Sequence, residues 1–137
     1  MPVFVLDAAA LLNNEGFSFD SKNRYFCPFG VMDEWRDFRS KSLSENAAQS
    51  EVLTVMDPCP LSIQGVLSFL DENGLRGLSD TDVAVVALAT ELKAMHPDLV
   101  VVTDDFSVQN ALKLKKIKFV GVAQGTIKRA RRFSKTR

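Results

Sequence analysis

Histidine is almost missing from this sequence. His96 stands alone, and the cysteines are only Cys27 and Cys59, with no C-x-x-C pair. A zinc finger or ribbon needs four such ligands at close spacing, so these residues cannot build one. The same scarcity leaves no plausible Cys–His or Ser–His nucleophile constellation. The two thiols read as reduced and buried, with a disulfide as the alternative. No apolar run approaches the roughly 18 residues needed to span a bilayer. The opening MPVFVLD also lacks the basic flank and long apolar core of a signal peptide. The expectation is a cytoplasmic protein with no membrane segment. Acid is missing too, but from one region only: beyond Asp105 there is none.

That regional absence is hidden by a formal net charge of zero. All seventeen acidic residues lie at or before Asp105, accompanied there by seven basic ones, and Phe106–Arg137 carries ten Lys and Arg. An acidic body with a basic C-terminal quarter suits cations in one place and polyanions in another. The length of 137 residues allows one domain with a real core. We expect it over residues 1–123, with a basic tail over 124–137.

Val3–Leu6 is an apolar run halted by Asp7 and reads as a buried strand. Strands are likewise predicted at Arg24–Cys27, Val52–Met56, Leu99–Thr103 and Ile117–Val120. Helical patterning marks Ala8–Leu12, Val31–Ser42, a stripe from Ile63 to Leu70 ended by Asn73-Gly74, a segment apolar on nearly every side through Leu92, and Phe106–Leu114. Strands alternating with helices predict an α/β three-layer sandwich around a mainly parallel sheet. Ligands of such folds lie beyond the carboxyl ends of the strands.

The acids fall where such a site would be. Asp7 follows the first strand, and Asp104 and Asp105 follow Leu99–Thr103. Asp80 and Asp82 open the apolar helix, and Asp33 and Glu34 are expected in the first turn of the Val31 helix. In a parallel sheet Asp7 and Asp105 emerge on one edge. Clustered carboxylates repel one another unless a cation neutralises them, and hard oxygen donors suit Mg²⁺ or Mn²⁺. Each helix-start acid also has a local explanation. Ser79 and Asp82 fit a capping box, the helix dipole favours acids at N-termini, and Asp104-Asp105 can simply start a helix. Asp57-Pro58 reads as a turn. Asp7, between a buried strand and an alanine-rich helix, resists such an account.

Four motifs carry a family resemblance. VFVLDAAALL resembles the opening strand and first acid of PIN domains, and PFGVMDEW their second acidic motif. LSDTDVAVVALATEL and VVTDDFSVQNALKL are similar to two long motifs of the archaeal Nob endonuclease family, and the four lie in order from Val3 to Val120. The resemblance implies a PIN fold and a metal-dependent endoribonuclease that trims the 3′ end of small-subunit ribosomal RNA, leaving a 3′-hydroxyl. It implies Asp7, Glu34, Asp82 and Asp105 as catalytic acids, with Asp104 beside them as a further Mg²⁺ or Mn²⁺ ligand. The partner implied is precursor small-subunit rRNA or the pre-ribosomal particle. The zinc ribbon usual in that family has no counterpart among these cysteines. Phosphate contacts are therefore expected from Lys128, Arg129, Arg131, Arg132, Lys135 and Arg137, whose other explanation is a solvated end. Two other PIN readings are a toxin-type ribonuclease acting on transfer or messenger RNA, and a catalytically silent scaffold in a ribonucleoprotein. A phospho-receiver domain is disfavoured, because its paired acids belong after the first strand.

Overall fold

The computed structural model describes residues 2–8, 20–38 and 52–121, with the side chains of residues 35–38 outside that description. Five strands form one parallel sheet: β1 (Val3–Leu6), β2 (Arg24–Cys27), β3 (Leu53–Val55), β4 (Val100–Val102) and β5 (Lys118–Val120), in the spatial order β3-β2-β1-β4-β5. β1 pairs with β2 on one side and β4 on the other, with Leu6 opposite Val102. Val5, Leu6, Val101 and Val102 are buried, as expected of strands covered on both faces.

The predicted strands at 52–56, 99–103 and 117–120 are each shorter in the structure, and at the starts of the last two the amide bonds outside the sheet. Leu99 N–H donates to His96 O in a turn, and Ile117 N–H donates to Leu112 O, closing the preceding helix. That helix end carries Lys116 in a left-handed conformation (φ 61°), with the Lys93 ammonium donating to the Lys116 carbonyl.

The described helices of two turns or more are α1 (Phe29–Phe38), α2 (Pro60–Glu72), α3 (Asp80–Lys93) and α4 (Phe106–Leu114). The first starts two residues before the predicted Val31, just after Pro28. Its end and the predicted continuation to Ser42 pass into residues outside the description, as do residues 9–12 of the first predicted helix. α2 and α3 form an antiparallel hairpin, and Glu91 near the end of α3 accepts a hydrogen bond of 2.6 Å from Cys59 N–H at the start of α2. Val83, Val85, Val86, Leu88, Ala89 and Leu92 bury α3 in the core on several sides. No described helix is long and apolar enough to cross a membrane.

This strand order has a functional consequence. The chain leaves β1 toward β2 and β3, then returns past β1 to add β4 and β5. Right-handed crossovers therefore depart in opposite directions on the two sides of β1, leaving a crevice beyond the ends of β1 and β4.

Candidate metal centre

Asp7 sits at that reversal. Its backbone N–H donates to Val102 O (3.1 Å), and its side chain is 3% exposed. The fully buried Thr103 stands beside it at the end of β4. The Thr103 hydroxyl donates to Asp7 Oδ2 at 2.6 Å and accepts from Asp105 N–H at 3.0 Å. One hydroxyl thus joins the first acid to the backbone of another almost a hundred residues away. Gln109 Nε2 donates to Thr103 O at 2.9 Å and braces the same turn from inside α4. Asp105 is the N-cap of α4, with Oδ1 accepting from Val108 N–H.

Asp82 approaches from α3. Ser79 and Asp82 form the reciprocal capping box, Asp82 N–H to Ser79 Oγ (3.1 Å) and Ser79 N–H to Asp82 Oδ2 (3.0 Å). Burial pushes the Asp82 carboxyl above the usual aspartate range. The negative charge of Asp105 raises it further, and the Ser79 bonds oppose the shift. The two carboxylates therefore feel each other across the crevice.

Two glycines allow the helix starts to meet. A Cβ on Gly30 would lie 2.9 Å from Thr81 Oγ1, so α1 and α3 approach as closely as they do only because that position is bare. Gly77 takes φ +90°, and a Cβ there would lie 3.4 Å from the Ser107 hydroxyl in the first turn of α4. Glu34 lies four residues after Gly30 on α1, on the same helical face, and side chains on a helix lean toward its N-terminus. It is exposed and belongs to the second turn, because α1 begins at Phe29 and has no acid in its first turn. Asp33 is exposed beside it. Asp80 is exposed at the first position of α3, and Asp104 is half-buried next to Asp105.

Asp7, Asp82 and Asp105 thus converge on one sheet edge, with Glu34 on the α1 face that meets Thr81. Among the described residues no three carboxylates, histidines or cysteines are gathered tightly enough to hold an ion as they stand. The donor chemistry nevertheless fits a hard divalent cation. The groups are all carboxylates, no described lysine or arginine pairs with Asp82 or Asp105, and Asp105 spends one oxygen on capping and keeps a second without a hydrogen bond among the described residues. Mutual repulsion of the kind felt by Asp82 is what a cation would relieve. The basic residues Lys128–Arg137 and the domain limit at 123 lie outside the described residues. A cavity of about 220 Å³ bounded by Pro2, Val3 and Met95–Leu99 opens at the opposite edge of the sheet, away from Asp7, Asp82 and Asp105.

Some supporting residues escaped the sequence reading. Asp57 Oδ1 accepts from Phe29 N–H (3.0 Å) and so holds the start of α1, although 28 residues separate the two. Glu91 holds the start of α2 in the same way. Burial acts to raise the Glu91 carboxyl, but bonds from Ser62 and Cys59 outweigh it and leave the group below its ordinary value. No local pattern marks either tether. Thr103 and Gln109 did carry a signal, since both lie inside VVTDDFSVQNALKL.

Comparison with known proteins agrees with this geometry. Residues 4–92 match the family described as the PIN domain of ribonuclease. The chain is 36% identical over 125 residues to Endoribonuclease Nob1 of Methanothermobacter thermautotrophicus, covering 90% of this chain and 71% of the relative. It is 33% identical to Endoribonuclease Nob1 of Pyrococcus abyssi over 96 residues, covering 69% of this chain and 56% of that protein. For the Methanocaldococcus jannaschii protein of the same name the identity is 31% over 123 residues, covering 90% of this chain and 58% of the relative. The chain therefore spans between about half and three quarters of the length of these relatives. The PIN domain of T. brucei RRP44 superposes with a TM-score of 0.51 at 16% identity, covering 90% of this chain and 77% of that one, a likeness of fold alone. A parallel sheet with its acids at the strand reversal, a family match over residues 4–92 and curated relatives above 30% identity lead to one assignment: the chain belongs to the PIN-domain ribonuclease family, in the group of the archaeal Nob1 endoribonucleases.

Proposed function

We propose that the chain is an endoribonuclease that uses Mg²⁺ or Mn²⁺ to hydrolyse a phosphodiester in the 3′ region of precursor small-subunit ribosomal RNA, as a cytoplasmic protein acting on the pre-ribosomal particle. The observation that carries this reading is the Thr103 hydroxyl, bonded to Asp7 and to the Asp105 backbone at the strand reversal. Asp7 and Asp105 would hold the cation, Asp82 and Glu34 would close the site from α3 and α1, and Asp104, next to Asp105 in the chain, would add an oxygen. A bound divalent ion supplies positive charge toward the phosphodiester and makes a water more acidic. The residues themselves hold and orient. Thr103 fixes the rotamer of Asp7, Asp105 keeps one oxygen on its helix and leaves the other for the ion, and the burial of Asp7 restricts water. Precursor rRNA as the substrate follows from the resemblance carried by VVTDDFSVQNALKL and from the relatives named endoribonucleases.

The test is incubation with labelled precursor RNA spanning the small-subunit 3′ end, with and without Mn²⁺. Site-specific cutting that needs Mn²⁺ and is lost in Asp7→Asn and Asp105→Asn is expected, since an amide keeps the shape but loses the charge. Undiminished cutting by either purified variant would remove it from the site.

A further inference from the structure

We propose that Phe29 and Phe106 are stacking platforms for two unpaired RNA bases, one on each side of the carboxylate edge. The inference rests on the ribonuclease reading and specifies how that site grips its substrate. Six phenylalanine side chains are described. Phe4 and Phe26 are buried, Phe69 and Phe119 are half-buried, and only Phe29 (55% exposed) and Phe106 (75% exposed) face solvent broadly. Scattered exposed apolar residues are ordinary on a protein surface. These two are not scattered. Each is the first residue of the helix that follows a strand neighbouring β1: Phe29 opens α1 after β2, and Phe106 opens α4 after β4. Asp7, at the end of β1, lies between them.

The spacing suits bases splayed apart. Two strand separations put the ends of β2 and β4 roughly 10 Å apart, well beyond the roughly 3.4 Å of one stacked step in a helical strand. Both rings are carried on pinned backbone. Phe29 N–H is held by Asp57 Oδ1, and Phe106 follows Asp105, whose side chain caps Val108 N–H. A ring with two torsions on a fixed backbone loses little entropy when it binds. The chemistry also answers a problem the site creates. Its carboxylates repel the phosphates that must approach, and lysines placed beside them would neutralise the acids. Stacking on a π-face gives affinity without charge and tolerates any base.

The probe is a single-stranded RNA oligonucleotide carrying 2-aminopurine, titrated with the full chain in chelator, where no cutting occurs. Quenching on binding is expected. Phe29→Ala and Phe106→Ala should each weaken binding roughly tenfold, within the range of base–aromatic stacking, and lose part of the quench. Trp at either position should preserve both, and Leu should not. Because the rings are exposed, unchanged thermal unfolding is expected and separates lost stacking from lost fold. Replacing one base by an abasic ribose should cost the wild type what the matching alanine costs, and cost that variant nothing more. Unchanged affinity and quench in both alanine variants, or full rescue by Leu, overturns stacking. Adding Mn²⁺ to the same wild-type mixture tests cutting separately, so failure of the nuclease reading shows as intact RNA whatever the phenylalanines do.

Discussion

The two ends of the sheet differ in how their charges are used. At the carboxyl ends of the strands stand Asp7, Asp82 and Asp105, tied together through Thr103 or felt across the crevice. At the opposite ends stand Arg24, Lys93, Lys115, Lys116 and Lys118, about 20 Å away along the fourteen residues of α3. Four of these five are occupied one by one: Lys93 on a carbonyl, Lys115 over the Phe69 ring at 4.5 Å, Arg24 over the Phe26 ring at 5.3 Å, and Lys118 with Asp98 at 3.4 Å. Helix dipoles alone favour acids where helices begin and lysines where they end. They explain the polarity of the surface, but not a buried Asp7 bonded to a buried threonine. A dipole places charges near an edge, whereas a site joins them, and among the described residues one buried hydroxyl joins Asp7 to the Asp105 backbone.

The most damaging way to break that comparison, short of removing an acid, is Thr103→Val. It keeps the shape and removes the hydroxyl that serves both Asp7 and the Asp105 amide. Metal affinity and cleavage should fall roughly 10- to 100-fold, as for loss of an outer-shell partner. Stability should fall by about 1–3 kcal/mol, because buried polar groups lose their partner. Isothermal titration with Mn²⁺ and chemical denaturation check the two halves of that expectation.

Deleting residues 128–137 sharpens the contrast from the other side. RNA binding should weaken, with the slope of log affinity against log salt falling by about 0.7 for each lost single-strand phosphate contact, while Mn²⁺ binding stays unchanged. If the slope holds, Arg24 and the lysines at 113–118 are the phosphate surface, and their alanine variants should flatten it instead.

Glu91→Ala should cost about 1 kcal/mol through the freed start of α2 without altering cleavage chemistry. Its lowered carboxyl pKa gives the sign with pH. The contribution is present above the ordinary glutamate value of 4.5 and is lost as pH falls through the lower folded value. Denaturation midpoints of wild type and variant should therefore converge in acid. The smallest effect separates the thiols. Cys27 is buried, and burial, then the charge of Asp57, pushes it up to about 12, so a maleimide should label only the exposed Cys59 until the chain unfolds.

Much of this was readable before the fold. A strand halted at Asp7, parallel pairing and the Ser79–Asp82 box follow from short-range pattern, and the structure reproduces all three. The reversal of strand order at β1 was not readable, because patterning gives the succession of elements and not their neighbours. Patterning starts α1 two residues late, since its first turn is held by Asp57, a cap supplied from the segment after β3. Glu34 was therefore expected one turn too early. Its place near the site depends on the close approach of Gly30 to Thr81, which no local pattern encodes.

The central claim is that the acidic end binds a divalent ion, and thermal unfolding with and without Mn²⁺ tests it without any RNA. At a hundredfold excess over its dissociation constant the ion should add about 2.7 kcal/mol. Asp7→Asn and Asp105→Asn should lose most of that gain. The metal-free Asp105→Asn protein should melt no lower than wild type, because the charge facing Asp82 is gone and an amide can still cap α4. Lys115→Ala should keep the full gain. Undiminished stabilisation by Mn²⁺ in both aspartate variants would contradict the account.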